Sequence, residues 1–197
     1  DVYKRQIMLP PGVAFVAYSD RAKDRFAEVT TPRFYLDLNK YLSSQEQNST
    51  PFTPNVALFR GVNAYVELVK HEGLNHVIKR HYSIRNALRT ALKSLDLELL
   101  VKDDSYASPT VTSFVPKDKE ELTYLKDQLK SRFNITIAGV QGHLKGHILR
   151  IGHMGKVSPF DILSVVSAIE ILLTESRNKN YIGKGIAQFM EVIKHES

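Results

Sequence analysis

A single arginine interrupts an apolar, β-type run in the stretch Leu149-Arg150-Ile151-Gly152-His153-Met154-Gly155, which then ends in glycines. An arginine in such a strand extends its head group to water, pairs with a carboxylate of the fold, or binds an anionic ligand. The planar guanidinium suits a carboxylate in bidentate geometry. Arg150 is therefore the first candidate for a substrate-binding residue.

The elements around this stretch predict an α+β domain. Their patterns favour strands over 97–101, 110–115, 135–138 and 148–152, and helices over 74–95, 119–132, 158–175 and near the C-terminus. Strands and helices in this order, after a long helix, indicate an antiparallel sheet covered by helices on one face.

The first third of the chain has a different pattern. The apolar run Val13–Tyr18 follows a Pro-Pro-Gly turn and predicts a central strand that is buried on both faces of a parallel sheet, whose other strands are expected upstream of residue 7. Thr53-Pro54 predicts a helix start, with Thr53 as the N-cap and Pro54 at the first helical position. A hydroxyl at a helix N-terminus can bind an anion, so Thr53 is the second candidate site residue.

Composition narrows the classes of function. The 197 residues carry 27 Lys and Arg against 21 Asp and Glu, a net charge of +6. This balance fits a solvated surface or an enzyme that handles phosphate or carboxylate. A nucleic-acid partner is not expected, because no basic block is interleaved with aromatic residues.

Three further absences in the sequence bear on chemistry and location. Without cysteine, the chain has no disulfide, thiolate ligand or thiol nucleophile, which suits a reducing compartment, and we expect a cytoplasmic protein. No apolar stretch approaches the roughly 20 residues of a membrane span, so we expect no membrane partner. The histidine spacings match no metal motif, and no metal site is expected.

Three motifs carry a resemblance to a known family: Leu9-Pro10-Pro11-Gly12, the glycine-punctuated loop Gly139–Gly142, and the strand around Arg150. Together they resemble the class V aminotransferases of fold type I, most closely the alanine–glyoxylate / serine–pyruvate aminotransferase family. Members use pyridoxal 5'-phosphate (PLP). Val140 and Gln141 depart from the Gly-Gly-Leu-Gly often found in the family, which bears on the preference for the substrate side chain.

The resemblance implies an activity and two site residues. The activity is the transfer of an amino group between a small amino acid (alanine, serine or aspartate) and a 2-oxo acid such as glyoxylate or pyruvate. It implies a homodimer whose active site is shared between subunits. Arg150 then binds the substrate α-carboxylate, and Thr53 reaches the PLP phosphate of the other subunit.

The resemblance begins at Ile7 and covers only a C-terminal half. We expect residues 7–72 to be the tail of a large α/β PLP-binding domain and 73–197 to be the small α+β domain. Residues 1–6 fit no part of the family and are expected to be a non-native scar. The family position of the Schiff-base lysine falls on Arg5, so no catalytic residue is assigned and the chain alone is expected to be inactive. The alternative is a truncated remnant or stand-alone interaction domain without catalysis.

Overall fold

A computed structural model of the chain describes residues 6–196, and the last of these only by its backbone. The described residues form two compact units, Met8–Glu67 and residues 68–196 together with residues 6 and 7. Arg5 and the rest of the expected scar before Gln6 lie outside the described residues. The predicted domain boundary at residues 72–73 stays a prediction.

Helices supply the secondary structure of the first unit. They are α1 (Asp20–Glu28), α2 (Leu38–Glu46) and α3 (Val56–Glu72), whose last turns continue into the second unit. Leu58 is the one apolar side chain that is buried among residues 8–67. This unit therefore has almost no core of its own.

Within the described residues the apolar run Val13–Tyr18 is not a strand, and the buried strand stays a prediction for a sheet whose other strands are expected upstream of residue 7. Phe15 is 68% exposed and Val16 is 59% exposed. A strand buried on both faces needs a hydrogen-bonded neighbour on each side, and within residues 6–196 no strand pairs with this run. An apolar run alone does not supply those neighbours.

An antiparallel sheet forms the centre of the second unit, as predicted. Its strands are β1 (Glu98–Leu99), β2 (Val111–Val115), β3 (Ala138–Gly139) and β4 (Leu149–Gly152), in the order β1-β2-β4-β3. The pairs β1–β2, β2–β4 and β3–β4 are all antiparallel. The sheet places β4 in the interior, with a neighbour on each side.

Four helices complete the second unit and pack on one another. They are α4 (Leu74–Ser94), α5 (Lys119–Phe133), α6 (Pro159–Arg177) and α7 (Lys184–Glu196). The α4 helix packs on β1 and β2 and also contacts α6 and α7. Its fully buried side chains recur at the helical period, among them Ile84, Leu88 and Leu92. The predicted α+β arrangement is confirmed.

Local signals fix where α6 begins. The Ser158 hydroxyl accepts the backbone N–H of Asp161 at 3.2 Å, and the Asp161 carboxylate accepts the N–H of Ser158 at 2.8 Å. This reciprocal capping box, with Pro159 next, is the start that the sequence predicts. None of the helices within residues 6–196 combines the length and apolarity needed to cross a membrane.

Candidate active site

Arg150 lies in the middle of the sheet, on β4. It pairs with Ser113 of β2 on one side and Ala138 of β3 on the other. Its chain neighbours Leu149 and Ile151 are buried under the helices, whereas Arg150 points to the opposite face and is half-buried. The small side chains on both flanking strands leave the arginine as the dominant group on this part of the open face.

One nitrogen of the Arg150 guanidinium is held by the backbone. Its Nε donates to the carbonyl oxygen of Gly139 at 2.9 Å. Among the described residues no carboxylate pairs with Arg150, and neither terminal nitrogen has a hydrogen-bond partner. A head group held at Nε with both terminal nitrogens open can bind a carboxylate from outside the unit.

The glycine-punctuated loop begins where the Arg150 head group is held. Gly139 ends β3, and Gly142 opens a short 3₁₀ helix (Gly142–Leu144) with φ of 71°. Gly142 adopts a left-handed conformation that L side chains rarely take. A Cβ on either glycine would meet no atom within 4 Å. Backbone conformation accounts for Gly142, and the space beside both glycines is open.

A buried histidine anchors the end of the Arg150 strand. His153 is fully buried, its N–H donates to the Thr110 carbonyl at 2.9 Å, and its Nε2 lies 2.9 Å from the Thr112 hydroxyl. Burial lowers the pKa of His153 to about 4, and the nearby charges of His81 and Arg85 act in the same direction. His153 is therefore neutral at pH 7 and holds the end of β4 against β2.

A second buried histidine connects α4 to the loop after β4. His81 donates from Nδ1 to the Val77 carbonyl at 2.6 Å, and its Nε2 lies 3.1 Å from the Gln6 amide nitrogen. The Gln6 amide oxygen in turn accepts the N–H of Gly155 at 3.0 Å. Burial lowers the pKa of His81, which favours the neutral ring that can accept from Gln6.

Arg80 holds the same loop from a different position. Its Nη1 donates to the carbonyls of Gly155 at 3.1 Å and Val157 at 2.8 Å. Its Nε and Nη2 bond both carboxylate oxygens of Glu72 at 2.6 and 3.0 Å, and these hydrogen bonds lower the pKa of Glu72. The loop that follows Arg150 is thus fixed to α4 by Arg80 and by Gln6.

Sequence reasoning missed Arg80, His81 and Gln6. Each bonds a residue about 75 positions away along the chain, and no local pattern marks such a pair. The one available signal was an arginine and a histidine on a helix otherwise patterned for burial. Gln6, placed at the end of the expected scar, makes two hydrogen bonds within the second unit.

Thr53, the predicted phosphate contact, precedes α3 and is not its N-cap. The helix begins at Val56, and the Asn55 side chain accepts the N–H of Leu58 at 3.2 Å. The predicted cap is wrong because the Asn55 side chain, and not that of Thr53, accepts this third helical N–H. Thr53 is exposed, and its hydroxyl has no hydrogen-bond partner among the described residues. Thr53 and Arg150 belong to different units.

A cavity of about 790 Å³ is lined by other charged residues of the second unit. Its lining includes the pair of Arg177 and Glu121, which are joined by two hydrogen bonds of 2.6 and 2.8 Å. Although burial opposes the change, the bonds from Arg177 and the Lys117 N–H hold the pKa of Glu121 below its usual range. These groups satisfy each other. Within residues 6–196 no cluster of three or more metal-ligating side chains occurs.

Comparison with known proteins shows which proteins the chain is similar to. No protein-family model matches the chain. It is similar to a soluble hydrogenase small subunit of Synechococcus sp. (strain PCC 6716), with 42% identity over 94% of this chain and 48% of the relative. An uncharacterized aminotransferase of Methanocaldococcus jannaschii is 35% identical over 84% of this chain and 43% of the relative. The chain spans about half the length of the curated relatives it matches.

The structural neighbours are aminotransferases of fold type I. Pyridoxamine–pyruvate aminotransferase from Mesorhizobium loti superposes with a TM-score of 0.81 and 27% identity, covering 91% of this chain and 47% of the other. The fold is therefore that of a fold type I aminotransferase, over about half of its length. By sequence and structure together, the chain is a relative of the class V aminotransferases, and the predicted resemblance is confirmed.

Proposed function

We propose that the chain is the C-terminal part of a PLP-dependent aminotransferase that exchanges an amino group between a small amino acid and a 2-oxo acid. Alanine, serine or aspartate are the candidate donors, and glyoxylate or pyruvate the candidate acceptors. One observation carries this proposal: the Arg150 guanidinium is fixed at Nε, with both terminal nitrogens open on the face away from the core. Names of relatives such as the L-aspartate–glyoxylate aminotransferase of Paracoccus denitrificans support the reaction class.

In this proposal Arg150 binds the α-carboxylate of the substrate and fixes its orientation. Two parallel N–H donors hold a carboxylate in one plane, and the direction of the Cα–H bond then follows. The backbone bond from Nε to Gly139 keeps the donors in place before the substrate arrives. PLP, when bound, supplies an electron sink for the charge that develops at Cα when its proton leaves.

Thr53 is proposed as a contact to the PLP phosphate of a partner subunit in a homodimer. Its hydroxyl is exposed and has no partner among the described residues, which suits a phosphate oxygen. The N–H of Leu58 at the start of α3 would not add to this contact, because it already bonds the Asn55 side chain.

The test is substitution of Arg150 in the full-length enzyme that contains this chain. Arg150→Ala should lower kcat/KM by about 30- to 5000-fold, which is about 2–5 kcal/mol of transition-state binding. Arg150→Lys should recover only part of the loss, because an ammonium group cannot bind both oxygens in a plane. The matched control is Arg21→Ala, which removes an exposed arginine of α1. A near-normal kcat/KM for Arg150→Ala would refute the assignment.

We also propose that the 197-residue polypeptide alone is inactive as a transaminase. The family position of the catalytic lysine falls on Arg5, which lies outside the described residues. The polypeptide should show no transamination when it is supplied with PLP, alanine and glyoxylate. Turnover at a rate comparable with the full-length enzyme would contradict this.

A second candidate function comes from the relative that is named a soluble hydrogenase small subunit. On that hypothesis the chain is part of an assembly that handles hydrogen. These 197 residues contain no cysteine, so thiolate ligands for a metal centre would come from outside them. Hydrogen-dependent dye reduction that co-purifies with the full-length protein, without transamination, would favour this candidate over the aminotransferase.

A further inference from the structure

The sequence around Arg150 is unusual in its charge. The whole chain has 21 acidic residues against 27 basic ones, but no Asp or Glu occurs between Asp127 and Asp161. That interval contains the following basic residues and histidines: Lys130, Arg132, His143, Lys145, His147, Arg150, His153 and Lys156. The acid-free interval includes β3, β4 and the whole hairpin between them.

The loop of this hairpin, residues 140–148, presents three of these side chains to solvent. His143, Lys145 and His147 are all exposed. The loop has a defined turn structure, because the Lys145 N–H bonds to Gly142 at 3.1 Å and the His147 N–H bonds to Leu144 at 3.1 Å. The backbone of this loop is therefore ordered, and its three exposed nitrogen-containing side chains project from defined backbone positions.

The Lys145 ammonium group contrasts with three arginines of the same unit. Arg80, Arg132 and Arg177 each bond both oxygens of a carboxylate. Within residues 6–196, neither Lys145 nor Arg150 has such an acidic partner. Two positive groups therefore remain uncompensated on one hairpin.

The Arg150 head group is bonded next to the start of this loop. Its Nε donates to Gly139, the last residue of β3, which is followed directly by the loop. Ser113, on the opposite side of Arg150, has no carboxylate either, so the field on this part of the open face is positive. Arg150 supplies one positive group, which in the proposed function binds the α-carboxylate of a substrate, and the β3–β4 hairpin supplies a second.

We propose that the β3–β4 hairpin binds a second acidic group of the substrate, with Lys145 as the specificity-determining residue. The substrate class is then a dicarboxylic amino acid or 2-oxo acid, in preference to alanine and pyruvate. This inference rests on the proposed function of Arg150 as the α-carboxylate site. An exposed ion pair gives a modest preference, of about five-fold.

The test uses the 197-residue chain itself and needs no PLP. Amide chemical shifts of the ¹⁵N-labelled chain are followed while succinate or propionate is added at constant ionic strength. Succinate should bind about five-fold more tightly than propionate and should shift the amides of residues 139–150. Lys145→Gln should remove this difference and leave propionate binding unchanged. Lys130→Gln, an exposed lysine of α5 in the same acid-free interval, should change neither.

The outcomes separate this inference from the function on which it rests. If Arg150→Ala abolishes binding of both acids but wild type shows no preference for succinate, the hairpin proposal is overturned and the Arg150 site stands. If neither acid binds, or Arg150→Ala changes neither, the α-carboxylate site itself fails. Tighter binding of 3-phosphonopropionate than of succinate would overturn the choice of a carboxylate as the second acidic group.

Discussion

The two compact units of the chain bury their apolar side chains to very different extents. In residues 68–196, α4, α6 and the sheet share a continuous core that includes Leu88, Phe114 and Leu149, each fully buried. In residues 8–67, Leu58 is the one buried apolar side chain, and Phe15, Phe34 and Leu36 are mostly exposed. Hydrophobic burial is the main favourable term in folding, so the second unit contains most of the stability of the described residues.

Two apolar runs show why the units differ. Leu149–Gly152 becomes β4, with β2 and β3 on its two sides and helices over one face. Val13–Tyr18 has no strand neighbour within the described residues and remains exposed. Both runs have the composition of strands. The difference teaches that a strand is defined by its hydrogen-bonded neighbours as much as by its own residues.

The largest expected effect compares two leucines on helices, one in each unit. Leu88→Ala removes a fully buried side chain of α4 and should lower the free energy of unfolding by about 2–5 kcal/mol. Leu58→Ala on α3 should cost less, about 1–2 kcal/mol, because no other apolar side chain among residues 8–67 is buried and the partly exposed surroundings can close over the space. Urea unfolding monitored by circular dichroism measures both values.

Residue-specific hydrogen exchange provides the control for this comparison. Leu88→Ala should reduce amide protection throughout residues 74–173, whereas Leu58→Ala should change protection only near α3. Equal losses of free energy for the two variants would show that residues 8–67 possess a core of comparable strength, and the contrast between the units would be lost.

The next effect is a loss of stability in acid that arises in only one unit. Residues 8–67 contain no histidine, whereas His153 in the second unit has a pKa of about 4 instead of the usual 6.5. Above pH 6.5 both the folded and unfolded forms are neutral at this position, and the stabilisation is complete. As the pH falls from 6.5 to 4, His153 binds a proton in the unfolded chain but stays neutral in the folded chain. The free energy of unfolding therefore falls by about 3 kcal/mol.

Urea unfolding at pH 7.5, 6, 5 and 4 checks this expectation. His153→Leu should be less stable than wild type at pH 7.5, because the bond to Thr112 is lost, but its stability should fall less steeply toward pH 4. His143→Leu changes an exposed histidine and should follow the wild-type curve. A His153→Leu profile as steep as wild type would assign the acid loss to other groups, carboxylates first.

Local features of the fold were predictable from the sequence. The α6 start depends on Ser158, Pro159 and Asp161, which are adjacent, and the sheet strands β2 and β4 follow from short apolar patterns between helices. Thr53 shows the limit of this approach. Two capping residues, Thr53 and Asn55, flank one proline, and only the side-chain reach to Leu58 decides which one caps α3.

The candidate site was predictable only at its centre. Arg150 and the loop from Gly139 are marked by a charge and by glycines within one short stretch, so sequence alone indicates them. Arg80 and His81 support the loop after β4 through bonds that join distant parts of the chain. Such contacts depend on how α4 packs against the sheet, and that packing is not encoded in any local pattern.

The smallest expected effect on stability concerns the exposed run in the first unit, and it tests the comparison most directly. Phe15→Ser should change the free energy of unfolding by less than about 0.5 kcal/mol, because Phe15 is 68% exposed and few contacts are lost. The same change at Phe114, which is fully buried, places a hydroxyl in the core and should prevent stable folding.

Phe15→Ser should also reduce self-association, because the exposed Phe15, Val16 and Tyr18 form an apolar surface that can bind other molecules. Thermal melts and sedimentation velocity at several concentrations measure the two effects. A loss above about 1.5 kcal/mol for Phe15→Ser would mean that the run is buried in solution, and the contrast between residues 13–18 and β4 would then be wrong.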